Sequence, residues 1–166
     1  SVIATLQLGA LAFGVSTMLL HRPVYIVYAE ENFFAVTWQQ VRQGTSDRAR
    51  LAAFSSASGL PLLYLELPAD PALRTRLRNA AAQGGPPVIA LGDYYRPIEA
   101  EDWRRILSRG PDIDELARQD PALAAELARF RAGHPQELDF IPVVCRNDVV
   151  MLAVDRSNGA IAGWLD

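Results

Sequence analysis

Two histidines, one cysteine and three groups of carboxylates are the residues of this chain whose types could do chemistry. His21 follows a long uncharged run, His134 sits inside Gly133-His134-Pro135, and Cys145 ends an apolar stretch. Nucleophilic catalysis needs a base within hydrogen-bond reach of the nucleophile, and a metal site needs three or four converging ligands. No HExxH, glycine-rich phosphate loop or GxSxG pattern is present. One cysteine can form neither an internal disulfide nor a thiolate cluster, and in an apolar run it reads as a small buried hydrophobe. The carboxylates are Glu30/Glu31, Glu99/Glu101/Asp102 and Asp112/Asp114/Glu115. The first pair falls in a hairpin turn. The others fall at helix starts, where acids complement the helix dipole. The expectation is a protein that is not an enzyme and carries no catalytic, cofactor or metal residues.

Recognition is the more promising chemistry. Asp93-Tyr94-Tyr95-Arg96-Pro97 places two aromatics and an arginine in an irregular segment, and Trp103 follows. Aromatics and Arg are enriched at interface centres, so Tyr94, Tyr95, Arg96 and Trp103 are candidate partner contacts. A second set lies near the start. Residues 1–20 contain no charged side chain, and His21 and Arg22 follow. As a helix this run is roughly 30 Å long, about the thickness of a bilayer's hydrocarbon core. Residues 1–22 are therefore expected to be a transmembrane helix, with residues 1–20 in the lipid bilayer. Small residues recur four apart at Thr5/Gly9, Ala10/Gly14 and Ala12/Ser16, a spacing that lets helices approach closely in lipid. Gly9, Ala10 and Gly14 join the candidate contacts. A cleavable signal would show a basic start and a shorter apolar core. The run reads instead as the last of several membrane helices in a longer protein.

The elements that must position these residues occupy 23–166, expected to be one soluble domain. Pro23 stops the apolar helix. Val24–Ala29 reads as a strand, Glu30-Glu31-Asn32 as a turn, and Phe33–Thr37 as the returning strand. Thr37 and Gln40 form a possible capping box for a helix over Trp38–Arg42, ended by Gly44. Ser46 is the expected cap of a second short helix, Asp47 to Phe54. Leu60–Leu67 is the next strand. Asp70-Pro71 and Asp120-Pro121 each read as an N-cap followed by proline at the first helical position. Helices are expected to run from those signals to Gln83 and Arg131, with others at Ala100–Ser108 and from Asp112. Leu123, Leu127 and Phe130 share one helical face. The end reads as a meander: Leu138–Cys145, Val149–Val154 and Ala160–Leu165, turning at Asn147-Asp148 and Ser157-Asn158-Gly159. Strands, then helices, then strands imply an α+β fold with a mainly antiparallel sheet.

All sixteen basic residues are arginine, and all nineteen acids lie beyond Arg22. The soluble part is thus mildly acidic, which argues against nucleic acid and against electrostatic docking on anionic lipid, both of which want basic patches.

The chain resembles the TfpX/TfpZ type IV pilin accessory proteins. The resemblance rests on Leu6–Val36 (an apolar helix, an Arg-Pro-Val-Tyr strand entry and a short acidic turn before Phe), on Tyr94-Tyr95-Arg96-Pro97, and on the terminal Phe140–Asp166. It implies a bacterial inner-membrane protein with several N-terminal helices and a periplasmic C-terminal domain. It also implies a chaperone-like role in type IV pilin stability and pilus assembly, with pilin as the protein partner. The alternative is a membrane-tethered sensory or ligand-binding domain.

Overall fold

A computed structural model describes residues 21–54, 59–145 and 148–165. The expected membrane helix and its contacts Gly9, Ala10 and Gly14 lie outside the described residues. Among the described residues no helix is long and apolar enough to cross a membrane.

The class is α+β, as the element order implied. Seven strands hydrogen-bond in the order β4-β3-β1-β2-β5-β6-β7. They are β1 (Pro23–Ala29), β2 (Asn32–Thr37), β3 (Leu62–Leu65), β4 (Tyr95–Pro97), β5 (Leu138–Val144), β6 (Val149–Asp155) and β7 (Ile161–Leu165). The helices are α1 (Trp38–Gly44), α2 (Arg48–Ala52), α3 (Pro71–Ala82), α4 (Ala100–Leu107), α5 (Ile113–Gln119) and α6 (Pro121–Gly133). The sheet is mixed: β2 runs parallel to β5, while β5–β6 and β6–β7 are antiparallel. The fold divides into two compact units that alternate along the chain. One takes the chain up to Val27 with Ala35–Arg96; the other takes Tyr28–Phe34 with Pro97–Asp166.

In the first unit Tyr25, Ile26, Val27, Val36, Val41, Leu51, Leu63, Leu65, Leu91 and Tyr95 form the buried set. Thr37 caps α1 as expected: its hydroxyl accepts from Gln40 N–H while the Gln40 side chain accepts from Thr37 N–H. The second cap differs. Asp47, not Ser46, accepts from Arg50 N–H and starts α2. A carboxylate is the stronger acceptor, and the Ser46 hydroxyl is engaged by Asp93. β3 is shorter than Leu60–Leu67; beside it the Pro61 carbonyl accepts from Ile26 and Glu66 N–H donates to the Tyr94 carbonyl. The stretch expected to be irregular ends in β4.

In the second unit Ile113, Leu127, Phe140, Ala153 and Leu165 form one buried cluster, with Leu123 and Phe130 packed against it. This is the helical face read from the sequence. Asp112 and Asp120 cap α5 and α6 through their side chains. The meander has its expected strands, with Phe140 opposite Ala153 and Leu152 opposite Trp164. Pro142 has no N–H to give, and the parallel register with β2 begins just after it, at Phe33 opposite Val143. The hairpin turn between β1 and β2 holds both Glu30 (φ 49°) and Glu31 (φ 68°) in the left-handed region. That is a two-residue turn of the kind that matches sheet twist, normally built from Asn-Gly.

Candidate functional site

The Tyr94–Pro97 segment is built from the chain's alternation. On β3, Leu63 and Leu65 are buried, so Tyr64 and Glu66 point the other way. On β4, Tyr95 is fully buried and Arg96 faces outward. Glu66 N–H donates to the Tyr94 carbonyl at 3.0 Å, which brings Arg96 alongside the outward residues of β3. Its guanidinium lies over the Tyr64 ring, 4.2 Å from the centroid, and pairs with the Glu66 carboxylate at 3.0 Å. An arginine plane clamped between an aromatic face and a carboxylate is held in one orientation.

The loop before β4 is tied down by Asp93. Its carboxylate accepts from Ser46 N–H (3.0 Å), the Ser46 hydroxyl (2.8 Å) and Asp47 N–H (3.2 Å). Arg50 completes the tie by donating to the carbonyls of Asp93 (2.9 Å) and Tyr95 (3.0 Å). Partial burial pushes the Asp93 carboxyl up. The Ser46 and Asp47 hydrogen bonds and the Arg50 charge outweigh it and hold the group below the usual carboxylate range. Tyr95 turns inward: its hydroxyl donates to the Ile89 carbonyl, and its ring meets Tyr25 edge-on at 6.1 Å. Burial, with Tyr25 nearby, pushes that hydroxyl far above the ordinary phenol range.

The sequence candidates therefore separate. Arg96 and the half-buried Tyr94 remain on the surface. Tyr95, wholly buried, presents nothing to a partner. Tyr64 and Glu66 join the surface set; the period-two pattern of LLYLEL was the signal that they share a face. Trp103 belongs to the other unit. It stacks on Phe33 (6.1 Å, 21°) and packs over the Gly159 turn, where an added Cβ would sit 2.9 Å from the indole nitrogen. It is half-buried and pins that turn.

Several other titratable groups have structural partners. His134 stacks on Phe130 at 4.3 Å, with Nδ1 2.9 Å from the Phe130 carbonyl. Asp114 holds Arg131 through two hydrogen bonds, 2.7 and 3.3 Å, and these lower its pKa. Arg156 is shared by Asp139 and Glu137. These two arginines border a cleft of about 180 Å³ lined also by Ile113, Leu138 and Phe140. Asp102 accepts from Glu99 N–H and from Arg105. The Cys145 thiol is pushed up by burial and by the Asp148 charge, which disfavours the thiolate. Among the described residues no three His, Cys, Asp or Glu side chains converge on a possible metal position. Comparison with protein-family models, with curated proteins and with solved structures finds no match to this chain.

Proposed function

We propose that this chain is a membrane-anchored, chaperone-like accessory protein that handles a type IV pilin in the bacterial inner membrane, with the domain after Arg22 in the periplasm. The observation that carries the reading is the absence of any linker. Charge-free residues 1–20 are separated from β1 by only His21 and Arg22, and β1 is buried from Tyr25 onward. A domain joined so closely to a membrane helix is held at the bilayer surface. A pilin subunit awaiting assembly also has an apolar helix in lipid and a head outside, so one protein can touch both parts. Two weak contacts on one molecule gain from effective concentration. The resemblance at Leu6–Val36, Tyr94–Pro97 and Phe140–Asp166 supports the same role.

On this reading Gly9, Ala10 and Gly14 contact the pilin helix, or the protein's own neighbouring helices, and Tyr64, Tyr94 and Arg96 face the pilin head. The first test is gene deletion with complementation, blotting whole cells for the major pilin and counting surface pili. Loss of pilin or pili, restored by the gene, is the expected result. Normal pilin and normal pili overturn the proposal. Replacing Gly9 and Gly14 by Leu, with insertion retained, should reduce pilin co-purification.

A further inference from the structure

We propose that Arg42 and Arg48, with Gln39 and Gln43, form a binding site for the phosphate of an anionic phospholipid headgroup. The four residues line a shallow groove of about 330 Å³ in the first unit. Every side chain in that lining is a hydrogen-bond donor, and none is a carboxylate. All four are exposed. Arg96, Arg105, Arg109, Arg118, Arg131 and Arg156 each pair with an acid. Arg42 and Arg48 have no ion pair among the described residues, so the groove keeps two uncompensated positive charges in a chain that is acidic overall. Net charge averages over the whole surface and hides a local concentration of this kind.

Position selects the ligand's source. The Trp38 N–H donates to the Arg22 carbonyl at 3.4 Å, so α1 starts beside the residue where the uncharged run has just ended. Arg42 lies four residues further, roughly 6 Å along the helix axis. The headgroup layer on each side of a bilayer is itself about 5–8 Å deep. If residues 1–20 cross the bilayer, α1 begins beside the residue at which that segment ends. Trp38, half-buried at the head of the same helix, has the amphipathic ring favoured at that boundary. Arginine suits the ligand, since its planar fork meets two phosphate oxygens at once while the glutamine amides donate from the side.

This inference rests on the membrane reading of residues 1–20, and the experiment separates the two. Alkaline extraction of vesicles bearing the full chain reads the anchor alone, and the groove variants leave it unchanged. Short-chain phosphatidylglycerol, phosphatidylcholine and inorganic phosphate are then each titrated calorimetrically into the full chain held in nonionic detergent. Phosphatidylglycerol should bind, phosphatidylcholine far less, and R42Q/R48Q should weaken the former by about thirtyfold, at about fivefold per arginine near a membrane. R42K/R48K, which keeps the charge but loses the fork, should fall between. The residues are exposed, so an unchanged melting temperature verifies folding of each variant. Equal binding of both lipids, or no effect of R42Q/R48Q, overturns the site. Inorganic phosphate binding as tightly as the lipid overturns the headgroup assignment in favour of a soluble phosphate.

Discussion

One substitution at three glycines should produce three distinct results. A Cβ on Gly44 would lie 2.2 Å from the Ala90 carbonyl oxygen and 2.8 Å from its carbon. Carbon contacts need roughly 3.5 Å, so α1 and the short turn at Val88–Ala90 must separate by more than about 1 Å. Both obstacles are backbone, so no side chain can rotate away. Overpacking costs about 1–3 kcal/mol in general and more against a rigid neighbour; Gly44→Ala should cost about 3 kcal/mol. At about 2–4 °C per kcal/mol for a chain of this size, the melting temperature falls by roughly 6–12 °C. Gly163→Ala would meet the Phe130 ring at 2.8 and 2.9 Å. That ring is half-buried and can yield, so the cost should be about 1–2 kcal/mol. Gly133 has nothing within 4 Å of the added carbon and closes α6. There Ala gains helix propensity, about 0.5–1 kcal/mol. Circular-dichroism melts of the full chain in detergent give the order. The reasoning is refuted if Gly44→Ala melts within 1 °C or so of the parent, or if Gly133→Ala melts below it.

Three further outcomes are expected. The folded Asp93 pKa is depressed, so its contribution is present above the unfolded value and lost as pH falls through the folded one, below about pH 4. Asp93→Asn should lower stability at neutral pH and flatten part of the acid limb, read by urea melts at each pH; Asp114 and Asp155, also depressed, keep the rest. Tyr95→Phe removes the hydrogen bond to the half-buried Ile89 carbonyl and should cost about 1 kcal/mol, read from the urea midpoint at constant slope. Replacing Glu30-Glu31 by Asn-Gly relieves two left-handed residues and should stabilise by about 1 kcal/mol, even after losing the exposed Glu31–Arg109 pair; a lower melting temperature would sink that account.

Local rules were readable in the chain. Thr37 with Gln40, Asp70-Pro71 and Asp120-Pro121 start their helices where they stand, because a cap depends on side chains and backbone within a few residues. The face of Leu123, Leu127 and Phe130 was equally plain. Ser46 was misassigned because its rival acceptor, Asp47, is its neighbour, and its true partner, Asp93, is distant in sequence. Tyr95 could not be separated from Tyr94 by type alone. A strand of three residues has too little alternation to show which one points inward, and its burial follows from pairing with a strand about thirty positions away. The parallel β2–β5 pairing had no local signature at all. The surface trio of Tyr64, Glu66 and Arg96 was half visible, in the alternation of β3.

That parallel pairing has a consequence for the order in which the chain is made. Phe33 and Val143 are about 110 positions apart, so a closure entropy of roughly 4 kcal/mol must be met before they join, about twice that for a ten-residue hairpin. The β5–β6–β7 meander is local and can form as soon as it emerges. β2 is made about a hundred residues before its β5 partner. Until then Phe33 and its neighbours present an unsatisfied strand edge, the usual seed of aggregation. A chain stalled or truncated before Val143 should therefore be a preferred substrate for holding chaperones and proteases.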